Sequence, residues 1–180
     1  MEDLLDAQYL MYKEDYVAFE MEYKDFQKRN TKRVNSLQCS VYTETATTVY
    51  MKLNRLIHSA IILYDNKVSL VGLDDYETKF MSGFKHIDNL IKHNKQPLDI
   101  ADLISSTPQL QSSVLRVTRL PQLWFDVRLI SMWMDLSSIP CEPRWQNQRN
   151  NYNTYLKGKM VIDTIHEMDR ILRKYLDSTV

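Results

Sequence analysis

The first 26 residues carry an apolar repeat that constrains the fold more than any other feature of the chain. Apolar side chains recur there at spacings of 4, 3, 4, 3, 4 and 3, which is the repeat of one face of an α-helix. The members of this tyrosine seam are Leu5, Tyr9, Tyr12, Tyr16, Phe19, Tyr23 and Phe26. Tyrosine rings pack while their hydroxyl groups reach water or a polar partner. The repeat therefore predicts a long first helix whose seam lies in the core or at a subunit contact, with Tyr9, Tyr16 and Tyr23 as candidate interface residues.

Glycine is scarce, which favours long helices over sheets. The 180 residues include only Gly72, Gly83 and Gly158, whereas sheets need tight turns in which glycine supplies positive φ angles. Further apolar stripes predict a second helix over about residues 42–64, a third over 74–95 and a last over 151–176. Gly83 falls inside the third stripe, so we expect a neighbouring helix to approach closely there.

The segment 97–150 differs from the rest, since it contains all five prolines and all three tryptophans. Two β-branched and aromatic stretches within it, 114–120 and 123–134, meet at Leu120-Pro121 and are typical of a hairpin. A helix over 123–135 remains an alternative. We therefore predict a mainly α protein, a single domain over 1–180 that resembles a four-helix bundle, with an irregular or β-hairpin insert before the last helix.

Composition limits the classes of function. The formal net charge is zero, and the acidic start of the chain is atypical of a signal or transit peptide. No apolar run approaches the roughly 20 residues that span a bilayer, so we expect a cytoplasmic protein without membrane contact. Cys39 and Cys141 form no C-x-x-C pair, and no Walker, Rossmann or serine-hydrolase pattern is present. We expect no cofactor.

Helix 3 carries a row of polar residues beside its apolar stripe. At 100° per residue one flank collects Lys79, Ser82, His86, Asn89 and His93, which we call the polar seam. His86 and His93 are separated by about 10.5 Å along the axis, too far for one metal ion with bonds of about 2 Å. The sequence therefore predicts no metal site on this helix. A solvent-exposed flank without further function is the simplest interpretation of the seam.

The stretch Phe84-Lys85-His86-Ile87-Asp88-Asn89-Leu90-Ile91-Lys92-His93-Asn94 resembles the signature helix of HEPN domains. These domains are small helical bundles, many of them ribonucleases of bacterial defence and toxin–antitoxin systems. Their motif is an arginine, often followed by an asparagine, and then a histidine after a gap of four to six residues; His86 and Ile87, at the wider gaps before His93, are not arginine. Asn89 and His93 match the asparagine and the histidine, whereas Asp88 stands where the family has its arginine.

The resemblance implies a homodimer in which two motifs form one composite site. His93 would be the general base or acid near a ribose 2′-hydroxyl, with Asn89 beside it, because imidazole titrates near neutral pH. Asp88 would repel a phosphate that the family's arginine attracts. Catalysis is then weak or absent unless Lys85, Lys92, Arg55 or Arg170 replaces that cation.

A second set of residues could contact RNA. The insert interleaves arginines with tryptophans, a combination that binds single-stranded nucleic acid by phosphate contact and base stacking; alternatively the aromatic side chains are core. The candidate nucleic-acid-binding residues are Lys85, His86, Lys92, Arg116, Arg119 and Arg128.

Three hypotheses follow for the function. The first in rank is a HEPN-like, non-catalytic or weakly catalytic protein that associates with RNA or a protein partner in a defence or counter-defence system. The second is an active, metal-independent ribonuclease that uses His93. The third is a phage or plasmid accessory protein that inhibits a nucleic-acid-binding partner through its acidic, tyrosine-rich helix 1.

Overall fold

The computed structural model describes residues 2–33, 40–66, 68, 72–93, 133, 135–136 and 139–176. They form five α-helices: α1 Glu2–Arg33, α2 Ser40–Asn66, α3 Asp75–Lys92, α4 Gln146–Tyr155 and α5 Val161–Leu176. A short 3-10 helix, Pro143–Trp145, leads into α4. The described part of the chain contains no β-strand. The mainly helical, bundle-like architecture is thus confirmed, while the predicted hairpin over 114–134 falls almost wholly outside the described residues.

The tyrosine seam of α1 packs into the protein's own core. Tyr12, Phe19, Tyr23 and Phe26 are buried, and they form one apolar cluster with side chains from α2, α3, α4 and α5. Tyr9 and Tyr16 are partly buried at its edge. α2 packs against both α1 and α3, and its apolar residues, such as Leu53, Leu56, Ile57 and Ala60, are fully buried. The broad apolar pattern of α2 is explained by this central position.

The closing helix is divided, contrary to the prediction of a continuous helix over 151–176. α4 begins at Gln146, inside the segment assigned to the insert, and ends at Tyr155. Gly158 then adopts a φ of 74°, a left-handed conformation that an L side chain rarely adopts. The backbone of Trp133 holds this turn, since its N–H donates to Lys159 O at 3.0 Å and its carbonyl accepts from Gly158 N at 2.8 Å. The apolar spacing typical of a helix continues through the turn, so the sequence pattern does not reveal the break between α4 and α5.

Gly83 marks a close contact between α3 and α4, as expected. A Cβ atom at this position would lie 3.3 Å from the backbone N and Cα atoms of Tyr152 and 3.1 Å from Cδ1 of Leu156. Glycine therefore lets the backbones of the two helices approach closely. This contact brings Ser82 and Asn89 of the polar seam within hydrogen-bonding distance of α4.

Of the helices that the structure describes, none combines the length and the hydrophobicity that crossing a membrane requires.

Candidate functional site on helix 3

α3 is held by hydrogen bonds across its first turn and by hydrogen bonds to the last helix, α5. Asp74 caps the helix by accepting a hydrogen bond from Glu77 N at 2.8 Å, and the Glu77 carboxylate in turn accepts one from Asp74 N. Glu77 is 1% exposed and also accepts hydrogen bonds from Lys174 and Tyr175 of α5. Burial alone would raise the pKa of Glu77, but these hydrogen bonds outweigh it and lower the pKa. The orientation of α3 is therefore well defined.

The middle of the polar seam, Ser82, His86 and Asn89, faces α4, whereas Lys79 and His93 at its two ends are exposed. Asn151 donates to Ser82 Oγ at 3.0 Å, and Asn89 donates to Gln148 Oε1 at 2.8 Å. The two pairs lie about two turns apart on α3 and on consecutive turns of α4. Side-chain amides and hydroxyls thus connect the two helices along their contact. The amide that the HEPN resemblance assigns to catalysis is used as an interhelical hydrogen-bond donor.

His93 lies at the end of α3 beside an aromatic side chain. Its backbone N–H donates to Asn89 O at 3.1 Å and caps the helix, while its ring lies 4.9 Å from the Trp145 ring, centroid to centroid. The side chain is exposed. The imidazole is thus accessible, and its neighbour in the part of the chain that the structure describes is an indole ring, with no ion pair to a carboxylate there.

His86, the middle residue of the seam, is buried and neutral near pH 7. It is 2% exposed, its ring lies 6.0 Å from that of Tyr152, and its Nδ1 atom has no hydrogen-bond partner among the described residues. Burial, with a smaller contribution from the nearby Arg149 guanidinium, lowers the pKa of His86 to about 4. His86 is therefore placed to pack between helices and not to contact a nucleic acid.

The opposite flank of α3 holds a group that the sequence analysis did not identify. The Asp88 carboxylate is 2% exposed and contacts the His58 ring with one oxygen and the Lys92 ammonium group with the other. Nδ1 of His58 on α2 lies 2.9 Å from Oδ1, and Nζ of Lys92 lies 2.6 Å from Oδ2. The His58 side chain is 46% exposed. A buried carboxylate thus orients an accessible imidazole and a lysine.

No signal in the sequence points to His58 as the partner of Asp88. The two residues are 30 positions apart on different helices, and their pairing depends on how α2 packs against α3. The sequence likewise gives no signal for the role of Arg149 on α4. Its guanidinium donates to the carbonyl oxygens of Ile139 at 3.0 Å and Leu136 at 2.8 Å. Arg149 thereby fastens the segment before α4 to the bundle.

Two other cations of the α2–α3 surface are also paired. Lys85 contacts the Asp65 carboxylate, and Arg55 contacts the buried Asp15 carboxylate at 2.6 Å. Neither Arg55 nor Lys85 is therefore an uncompensated cation that could replace the family's arginine. Arg170 is engaged with Glu167 at 2.8 Å on α5. These ion pairs offset positive charge locally, which reduces the attraction of the paired side chains for a polyanion.

The remaining candidates divide into three groups. Arg116, Arg119 and Arg128 lie outside the described residues. Tyr23 is 1% exposed and belongs to the core of the single chain, whereas Tyr9 and Tyr16 are partly accessible.

Among the histidine, cysteine and acidic residues that the structure describes, no group of three is arranged to hold a metal ion.

Comparison with known protein families, with curated proteins and with solved structures gives no match to this chain.

Proposed function

We propose that this protein is a non-catalytic, HEPN-like interaction protein, one that binds a macromolecular partner and does not turn over RNA. The observation that carries the proposal is that two motif residues make contacts inside the fold. Asn89 donates its amide to Gln148, and Asp88 is buried beneath His58 and Lys92. Two of the three motif positions, Asn89 and Asp88, thus make interhelical contacts in this chain, whereas His93 stays exposed.

The charge at the motif supports the same conclusion. A ribonuclease of this type needs a cation where negative charge develops on the phosphate, and each such cation contributes on the order of 3 kcal/mol to transition-state stabilisation. Asp88 carries the opposite charge. Lys92 already neutralises that carboxylate at 2.6 Å, so its ammonium group is not free to replace the arginine.

A protein partner fits the described surface better than RNA. The cations beside the motif are paired with carboxylates, whereas RNA binding draws its affinity from lysines and arginines that neutralise phosphates. Large apolar side chains are exposed instead, notably Leu10, Val17 and Met21 on α1. Apolar groups grouped on a surface are typical of protein contact sites.

Cleavage of a mixed RNA pool by the purified protein tests the proposal. We expect no cleavage above the buffer rate at pH 5–8, from the wild type or from His93→Ala. His166→Ala is the matched control, because His166 is equally exposed but lies on α5, paired with Glu20. Cleavage by the wild type that disappears in His93→Ala and persists in His166→Ala would overturn the proposal in favour of an active ribonuclease.

One observation favours a second candidate, a weak ribonuclease centred on His58. A half-exposed imidazole whose Nδ1 is held by a buried carboxylate has the geometry of a general base, with Nε2 directed away from that carboxylate. This candidate predicts slow cleavage that is lost in His58→Ala and retained in His93→Ala. The same RNA assay therefore separates it from both the non-catalytic protein and the His93 ribonuclease.

A further inference from the structure

His58 differs from the other three histidines in how its two ring nitrogens are placed. Its Nδ1 atom lies 2.9 Å from the buried Asp88 carboxylate, and its side chain is 46% exposed. Nε2 points away from that carboxylate and has no hydrogen-bond partner among the residues that the structure describes. His58 therefore presents one oriented and accessible nitrogen to solvent.

The other three histidines lack this combination. The Nε2 atom of His166 lies 2.9 Å from a carboxylate of α1, so that nitrogen is already occupied. His86 is 2% exposed. The exposed ring of His93 lies against an indole ring, with no ion pair to a carboxylate in the described part of the chain. An oriented Nδ1 and an accessible Nε2 thus occur together at His58.

The Asp88 carboxylate favours one tautomer of the His58 ring. A neutral imidazole has one protonated nitrogen and one nitrogen with a lone pair. Because a carboxylate only accepts hydrogen bonds, it favours the proton on Nδ1 and leaves the lone pair on Nε2. Lys92 Nζ lies 2.6 Å from the other Asp88 oxygen and offsets its negative charge. Asp88 therefore orients the ring while its charge does little to repel an anionic reagent.

An accessible imidazole with its lone pair on Nε2 is a nucleophile as well as a base. General base catalysis also needs groups that hold a substrate beside the ring, and the nearby cations Lys92 and Arg55 are paired with carboxylates. Nucleophilic attack needs only that a donor reach Nε2. As the new bond forms, the ring gains positive charge, which a carboxylate at Nδ1 stabilises through a charge-assisted hydrogen bond. The surroundings of His58 therefore suit a nucleophile.

We propose that Nε2 of His58 accepts a phosphoryl group from a phosphoramidate donor. The Nε2 lone pair forms the new N–P bond as the P–N bond of the donor, protonated on its nitrogen, breaks. The bonding electrons leave with the donor nitrogen, as ammonia or an amine. Nδ1 keeps its proton and its contact with Asp88. The product is a phosphohistidine, and the inference goes beyond the binding function proposed above and does not depend on it.

Phosphorylation of His58 would change the charge of the α2–α3 surface. A phosphoryl group adds roughly two negative charges and several strong hydrogen-bond acceptors. The His58 side chain is half exposed, so the group lies where an approaching partner meets it. The modification would therefore alter the affinity of this surface for a charged partner.

Reaction of the full chain with potassium phosphoramidate tests the proposal. We expect peptide mapping to place one added phosphoryl group on His58, and phosphorus NMR to place it on Nε2. The reaction at His58 should be about tenfold or more faster than at His93 or His166, because the hydrogen bond to Asp88 stabilises the developing ring charge. His58→Gln should abolish this fast reaction, since glutamine can still donate to Asp88 but offers no nucleophile; circular dichroism verifies the fold. His166→Gln is the matched control and should leave it unchanged.

The role of Asp88 has its own readout, the position of the N–P bond. In Asp88→Asn the side-chain amide can donate to Nδ1 or accept from it, so we expect phosphorylation of both ring nitrogens of His58. A folded Asp88→Asn protein that still reacts at Nε2 alone would overturn the orienting role of Asp88.

Equal reaction rates at His58, His93 and His166, or no reaction at His58, would overturn the proposal, because His58 would then be no better a nucleophile than an ordinary histidine. None of these measurements involves RNA or a binding partner, so this failure is distinct from a failure of the proposed function.

Discussion

Nδ1 of His58 lies 2.9 Å from Oδ1 of Asp88, a buried carboxylate at the position where the HEPN motif has an arginine. Lys92 Nζ lies 2.6 Å from the other oxygen. The aspartate thus serves α2–α3 packing, and its carboxylate is covered by the His58 ring and paired with the Lys92 ammonium group. An aspartate that would disable a nuclease belongs, in this chain, to a group of polar contacts between α2 and α3.

Removing the Asp88 charge should destabilise the protein. Asp88→Asn keeps the shape of the side chain but loses two charge-assisted hydrogen bonds, each worth about 1.5–3 kcal/mol when fully buried. Because His58 and Lys92 are each about half exposed and regain water, we expect a net loss of about 2 kcal/mol in the free energy of unfolding. Urea denaturation measures it. Asp75→Asn, at an exposed carboxylate paired with Lys79, should change stability by less than about 0.5 kcal/mol.

Enlarging Gly83 should separate α3 from α4. Gly83→Leu cannot fit beside the Tyr152 backbone without moving α4, and overpacking of this kind costs about 1–3 kcal/mol or more. Gly83→Ala should be much milder, because the helix propensity of alanine offsets the close contact by about 1 kcal/mol. Thermal unfolding of the two variants gives the comparison. Thr78→Leu, on an exposed position of the same helix, controls for the added side chain; equal stability of Gly83→Leu and Thr78→Leu would contradict the close contact.

His86 should make the protein less stable as the pH falls from 6.5 towards 4. Its pKa is lowered to about 4 in the folded chain, so between these values the unfolded chain binds a proton that the folded chain does not. Stability is therefore full above pH 6.5 and declines on acidification, by at most about 3 kcal/mol. His86→Leu should reduce the loss between pH 7 and pH 4.5 by about 2 kcal/mol, as measured by urea denaturation at each pH. An unchanged acid dependence would show that His86 is not buried in its neutral form.

Much of the architecture follows from local patterns. The 4 and 3 spacing of α1 and the apolar stripes of α2 and α3 are each visible within about ten residues, and the structure bears out all three helices. Gly83 was informative for the same reason, since a glycine inside an apolar stripe has few uses other than a close helix contact.

The arrangement at the candidate site could not be obtained in this way. A single sequence shows that Asn89, His86 and Ser82 share a flank of α3, but not that α4 covers this flank. The first half of α4 lies in the segment 97–150, whose prolines and tryptophans argue against a helix. The pairing of His58 with Asp88 joins residues 30 positions apart. Gly158 breaks the final helix with no loss of apolar periodicity, so that boundary too depends on tertiary contacts.

The most direct test of the structural role of the motif is a double-mutant cycle between Asn89 and Gln148. Asn89→Ala, Gln148→Ala and the double variant are compared by urea denaturation, beside a control cycle of Asn89 with the exposed Asn153 of α4. The 2.8 Å hydrogen bond predicts a coupling of about 1 kcal/mol for Gln148 and none for Asn153. A coupling of zero with Gln148 would mean that the Asn89 amide is free for another role, and would contradict the assignment of the motif to helix packing.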